Sequence, residues 1–202
     1  MIDITIVDYD LGNQDSLLYS LKSLNLKAKI SKDIEVLSKS DLLILPGVGS
    51  FPEAIKRLKE NNLTEFLIKW VSKNKPILGI CLGMQLLCSK SYEDKETKGL
   101  GIINGEIIAL DSSSCHIGWN NVHMVEESYL LNSKSDDFYF NHSFKFKGNK
   151  NFIKGYATFN DEKIPAIIKK DNNVLGIQFH PEKSQDAGKK LLLILIKKLI
   201  DG

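Results

Sequence analysis

The chain has 202 residues, 43% of them apolar and 26% charged, with 27 basic against 25 acidic side chains and a net charge of +2. These figures suit one folded domain that buries roughly 70% of its unfolded surface, and they exclude disordered, collagen-like and disulfide-scaffold classes. Arg57 is the only arginine and the lysines are scattered, so no concentrated basic face for nucleic acid is expected.

The start, Met1-Ile2-Asp3-Ile4, has neither the basic region nor the long apolar stretch of a signal peptide. Ile2 to Val7 reads instead as a compact strand rich in β-branched residues. Gly12-Asn13 breaks the chain, and Leu17, Leu18, Leu21 and Leu24 follow at helical spacing. Leu42 to Leu45 is a short buried run stopped by Pro46-Gly47. Phe51, Ala54, Ile55 and Leu58 mark one helix face; Leu63, Phe66, Leu67, Trp70 and Val71 mark the next. Pro76 to Ile80 is a further strand. The alternation predicts an α/β fold, a mostly parallel central sheet with helices on both faces.

After Gly101 the pattern changes. Glu106 to Leu110, Asn120 to Val125, Phe138 to Phe146 and Tyr156 to Phe159 read as shorter strands, which implies an additional short antiparallel sheet. Ala166 to Lys169 and Val174 to Phe179 read as a hairpin around Asp171-Asn172-Asn173. Gln185 to Ile200 reads as a helix packed on the sheet, since its Leu191 to Ile196 run is too short to span a bilayer. No repeat or linker interrupts the chain, so a single domain over 1–202 is expected. The cysteines, Cys81, Cys88 and Cys115, contain no Cys-x-x-Cys pair. A disulfide framework is therefore not expected, and a reducing cytoplasm is the simplest home.

The chemistry concentrates at Gly79-Ile80-Cys81-Leu82-Gly83. A buried strand runs into Gly-x-Cys-x-Gly, and Met84 to Cys88 continues as a helix: the strand–turn–helix of a nucleophile elbow with cysteine in place of serine. Such a turn strains the nucleophile's backbone, and the helix start favours a thiolate. The Leu82 N–H is placed to help hold an oxyanion. A lone cysteine is more often a small core residue; the elbow spacing is what argues otherwise. Of four histidines, His180 follows an apolar strand and precedes Pro181-Glu182. Residues two apart on an extended chain share a face, so Glu182 can orient His180 and complete a Cys–His–Glu arrangement. Leu45-Pro46-Gly47-Val48-Gly49 reads either as a plain strand-to-helix turn or as a second oxyanion donor in the same cleft, at the carboxyl ends of parallel strands. No histidine pair or His/Cys/carboxylate cluster has metal-ligand spacing, so no metal or other cofactor is expected.

Gly79 to Gln85 together with His180-Pro181-Glu182 resembles the triad-type (class I) glutamine amidotransferases. Asp8-Tyr9 with Gly12-Asn13, Glu96 to Gly101, His116-Ile117-Gly118-Trp119-Asn120, Tyr139 to Phe144 and Gln178 to Ser184 resemble, more narrowly, the glutaminase subunits of imidazole glycerol phosphate synthases. That resemblance covers essentially the whole chain. It implies that Cys81 attacks the side-chain amide of glutamine, with His180 as proton carrier and Glu182 as its orienting group. It implies an oxyanion hole from Leu82 and the Gly47–Val48 peptide, and glutamine contacts from Gly49, Gln85, His142, Ser143 and Phe144. It further implies a (β/α)₈-barrel cyclase subunit as partner, receiving the ammonia, with Asn13 and Lys183 near the interface.

The chain departs from the family pattern in places. Asp10 stands where glycine is usual and Cys115 where proline is common, and Asn141 and Phe144 replace a more usual valine and tyrosine. These departures leave room for a paralogue that supplies ammonia to a sugar amidotransferase in surface-polysaccharide synthesis. A stand-alone cysteine hydrolase on the same kind of sheet and a non-catalytic scaffold subunit are the other readings.

Overall fold

A computed structural model describes residues 2–111, 115–125 and 137–201. Its strands are β1 Asp3–Val7, β2 Lys27–Ser31, β3 Leu42–Leu45, β4 Ile77–Ile80, β5 Cys88–Ser91, β6 Thr97–Lys98, β7 Ile103–Ala109, β8 His116–Asn121, β9 His123–Met124, β10 Asp137–His142, β11 Phe144–Gly148, β12 Ile153–Phe159, β13 Glu162–Lys170 and β14 Val174–Ile177. Its helices are α1 Gln14–Ser23, α2 Ile34–Ser38, α3 Phe51–Glu60, α4 Leu63–Ser72, α5 Leu82–Leu86 and α6 Gln185–Asp201.

The main sheet runs β2-β1-β3-β4-β14-β13-β12-β9. The pairings from β2 to β14 are parallel, and those from β14 to β9 antiparallel. The central parallel strands β3, β4 and β14 (LLIL, ILGI and VLGI) are buried at every position. Continuous apolar runs are what a strand covered on both faces requires. On one face α1 and α6 set Leu17, Leu21, Leu191, Leu195 and Leu199 against Ile4, Ile6, Ile44 and Leu78. On the other, α3 and α4 set Phe51, Leu58, Leu67 and Trp70 against Val7, Leu43, Leu45 and Ile77. Full burial of each such side chain contributes roughly 1.5–3 kcal/mol before conformational entropy is counted. No helix among the described residues is long and apolar enough to cross a membrane.

The second half differs in detail from the sequence reading. The run Phe138 to Phe146 is not one strand: it breaks at Ser143, sending β10 to pair with β8 and β11 to pair with β7. The expected small antiparallel sheet is therefore two sheets, β10-β8 and the four-stranded β11-β7-β5-β6, in which β5 and β7 run parallel. The helix after Cys81 stops at Leu86, and Cys88 opens β5 instead of closing a helix; it is nonetheless fully buried, as a core residue should be. The hairpin at Asp171 is present, but β13 begins at Glu162 and β14 ends at Ile177.

Candidate active site

Cys81 occupies the single residue between β4 and α5, with φ 53° and ψ −113°. An L-residue resists that conformation, so the surroundings must enforce it. The Cys81 N–H donates to the Ile177 carbonyl at 2.7 Å, extending the β4–β14 ladder by one rung. The Cys81 carbonyl accepts from the Gln85 N–H at 3.2 Å, closing the first turn of α5. The turn has no spare room, because a Cβ at Gly83 would lie 1.8 Å from the Leu45 carbonyl oxygen. Cys81 keeps only 6% of its surface exposed.

His180 lies three residues beyond the end of β14, and its N–H donates to the Tyr139 carbonyl at 2.9 Å, an isolated bridge to β10. Its side chain meets Glu182, Nδ1 to Oε1 at 2.8 Å, with both groups buried. The chain is not extended there, as the sequence reading assumed. Pro181–Lys183 is a 3₁₀ turn, and the turn, not strand alternation, brings the carboxylate under the ring. Ser184 locks it: its hydroxyl donates to the His180 carbonyl at 2.6 Å and accepts from the Tyr139 N–H at 3.0 Å. Burial lowers the pKa of His180, but the Cys81 sulfur and the Glu182 carboxylate outweigh it and lift the value to about 10. The imidazole is thus held between the Cys81 sulfur and the Glu182 carboxylate, two neighbours that favour its charged form.

These groups open onto a cavity of about 240 Å³. Cys81, Leu82, Gln85 and His180 form its floor, Val48 and Gly49 one rim, and Asn141, His142, Ser143 and Phe144 the opposite wall. Gly47 stands just outside it, pressed so closely under the elbow that a Cβ would lie 2.5 Å from the Tyr9 hydroxyl and 2.9 Å from Leu82 Cβ. That hydroxyl donates to the Pro46 carbonyl at 2.6 Å and pins the segment. Gln85 braces the wall, its Nε2 donating to the Phe144 carbonyl at 3.3 Å and to Gln178 Oε1 at 3.1 Å. A larger hollow of about 830 Å³, by Asp41, Lys75 and Asn173, lies at the opposite ends of the strands and takes in none of these residues.

Asn13 and Lys183 line a small crevice on the far side of His180 and Glu182, shared with Gly47 and Val48. Asn13 also caps α1, its side chain accepting from the Ser16 N–H. Nearby, Lys183 Nζ sits 5.6 Å over the Tyr139 ring, and the half-exposed Trp119 meets Tyr139 edge-on. Asp10 adopts φ 63°, the backbone a glycine would take without cost, and is held there by Lys32 and Asn61 at 3.0 Å each.

The sequence reading gave no site role to three residues: Asn141 and Glu93, which line the cavity, and Gln178, which lies behind the Cys81 sulfur. Glu93 accepts the Phe51 N–H through Oε2 at 2.6 Å. Gln178, wholly buried, points its Nε2 at the Cys81 sulfur from 3.8 Å. Gln178 was findable, two positions before His180 in an apolar run; Glu93, in a polar loop, carried no signal.

The chain matches the family model for glutamine amidotransferase class-I over residues 5–197. It belongs to that family. This amidotransferase is 42% identical to the imidazole glycerol phosphate synthase subunit HisH of Lactococcus lactis subsp. lactis, over 98% of this chain and 100% of that one. It is 44% identical to the HisH subunit of Prochlorococcus marinus, over 95% and 92%, and 42% identical to HisH 1 of Campylobacter jejuni, over 94% and 96%. Among amidotransferases it therefore falls with the HisH subunits. Its fold is also that of solved structures of low identity: PurLQS from Thermotoga maritima (TM-score 0.76, 20% identity, 98% of this chain and 100% of that one) and a glutamine amidotransferase (TM-score 0.72, 20%, 95% and 98%).

Proposed function

We propose that the chain releases ammonia from glutamine for imidazole glycerol phosphate synthase, with Cys81 as nucleophile. The observation that carries this reading is the meeting of the Cys81 sulfur with the buried His180–Glu182 pair at the floor of a cavity sized for one amino acid. The Cys81 thiolate attacks the carboxamide carbon of glutamine. The carbonyl electrons move onto oxygen, where the N–H groups of Leu82 and Val48, the latter from the Gly47–Val48 peptide, receive the charge. His180 gives its proton to the leaving nitrogen, ammonia departs and a thioester remains. The now neutral imidazole takes a proton from water, whose oxygen attacks the thioester to free glutamate and regenerate the thiolate. Glu182 holds His180 in the tautomer this requires.

Glycine at 49 leaves that rim bare, and Gln85, His142, Ser143 and Phe144 contact the glutamine backbone. The Glu93 carboxylate faces its ammonium. Ammonia passes to a (β/α)₈-barrel cyclase docked over Asn13 and Lys183, where the exposed Trp119 and the stacked Tyr139–Lys183 pair form a contact surface. The HisH relatives favour the histidine-pathway partner over a sugar amidotransferase.

The test is glutamate release measured with and without the barrel subunit and its ligand. The expected result is a large rise on adding both, with ammonia consumed by the partner. High partner-free turnover of esters or peptides would instead support the stand-alone hydrolase.

A further inference from the structure

His116 and Asn120 belong to the His116–Asn120 block through which the sequence resembles the synthase glutaminase subunits, yet the reaction above leaves them without work. They lie on the inner face of β8, opposite His142 and Phe138 of β10. His116 is 2% exposed. Its ring is clamped between the faces of Phe140 and Phe159, each centred 4.4 Å away and nearly parallel. Both ring nitrogens are paired: Nδ1 with His142 Nε2 at 3.0 Å, and Nε2 with Asn120 Nδ2 at 3.1 Å. His142 Nδ1 in turn lies 2.8 Å from the Phe144 carbonyl, and Asn120 Nδ2 lies 2.8 Å from the Thr158 carbonyl.

The two ends determine every proton between them. A carbonyl oxygen only accepts, so His142 must carry its proton on Nδ1, leaving Nε2 bare. His116 must then donate from Nδ1 and accept at Nε2. Asn120 supplies that donor with its second amide proton, the first being on Thr158. The chain closes only when both rings are neutral Nδ1–H tautomers. Burial lowers both histidines to about 4, which keeps them neutral near pH 7.

We propose that His116 is a positioning residue for glutamine binding: through His142 it fixes the Phe144 carbonyl and hence the 142–144 wall of the cavity. The proposal rests on that cavity being the glutamine site. Without the His116 proton, His142 Nε2 is a buried acceptor with no donor. The ring can then move its own proton to Nε2 and release the Phe144 carbonyl, leaving Gln85 alone to hold it.

The test uses the chain assembled with its barrel subunit and ligand. His116→Phe keeps the stacked sandwich and removes the relay. It should raise the glutamine KM about five- to tenfold, the worth of one hydrogen bond, while kcat changes less than about twofold. His116→Gln restores an N–H toward His142 and should bring KM most of the way back. Independently of any variant, ¹⁵N NMR of the wild-type chain at neutral pH should find His116 and His142 both neutral and both protonated on Nδ1. An unchanged KM in His116→Phe, a loss confined to kcat, or His142 protonated on Nε2 would each overturn the proposal. If His116→Phe does not fold, the tautomers decide. A wild-type complex that does not hydrolyse glutamine would sink the functional reading instead, and the tautomers would still decide the relay.

Discussion

Gly79 of β4 and Gly176 of β14 are register partners in the parallel sheet, and Met84 of α5 rests on the bare patch they make. A Cβ at Gly176 would lie 2.4 Å from Met84 Cγ, and one at Gly79 would lie 2.8 Å from Met84 Cα. The two glycines let α5 sit down on the sheet, and Cys81 is the residue forced into the tight turn between them. Gly176→Val should therefore lift α5. We expect a loss of about 1–3 kcal/mol in urea unfolding, the range for overpacking. Glutaminase activity should fall further than the folded fraction does. A variant that loses stability but keeps full activity per folded molecule would separate the elbow's geometry from this packing.

The strain at Cys81 itself is measurable. Both Ala and Gly remove the sulfur, but only Gly relaxes at φ 53°. Cys81→Gly should be more stable than Cys81→Ala by about 1 kcal/mol or more in urea unfolding. Both should lose glutamine-dependent synthesis by at least about 10³-fold, while synthesis from added ammonium by the partner continues. Retained glutamine use in either variant would remove Cys81 from the role of nucleophile.

Much of this was legible in the sequence because the central strands bury both faces and so read as unbroken apolar runs. The edge strand β2, Lys27–Ser31, was not, since an edge tolerates alternate lysines and the run looks like a surface loop. β5 escaped for a different reason: no glycine or proline stands between Leu86 and Cys88, and the turn there is imposed by backbone bonds from Leu100 and Ile103 to Leu86 and Leu87. The break at Ser143 has the same origin, two partner strands pulling one apolar run apart. At the site, Cys81, His180 and Glu182 were legible from local motifs. Glu93 was not, because its anchor at Phe51 lies 42 residues away.

Gly47 makes a second close contact worth testing, with the Tyr9 hydroxyl. Gly47→Ala must move either the ring or the Pro46–Gly49 backbone, and a displaced oxyanion donor costs roughly 10²–10³ in kcat. Tyr9→Phe alone leaves the Pro46 carbonyl without its donor, a cost of about 1–3 kcal/mol. Combined, the phenyl ring removes the 2.5 Å contact and leaves the milder ones to Leu82 Cβ at 2.9 Å and to the Gly83 N at 3.1 Å. The double variant should thus be more active than Gly47→Ala alone. Strict additivity of the two losses would show that they do not share this contact.

Stability should peak near neutral pH because the buried histidines pull in opposite directions. For His116 and His142 the folded values near 4 lie below the ordinary 6.5, so the unfolded chain binds protons first as the pH falls. Their contribution is intact above about 6.5 and is lost between there and 4. His180 is raised to about 10, against burial, by Cys81 and Glu182; its contribution is complete below 6.5 and drains away as the pH climbs toward 10. Each histidine can tilt the curve by at most about 1.4 kcal/mol per pH unit. Urea midpoints taken from pH 4 to pH 10 should then separate the groups. Glu182→Gln should flatten the alkaline limb and spare the acid one, whereas His116→Phe should flatten only the acid limb. If Glu182→Gln left the alkaline limb as steep as in the wild type, the carboxylate would not be what holds the proton on His180.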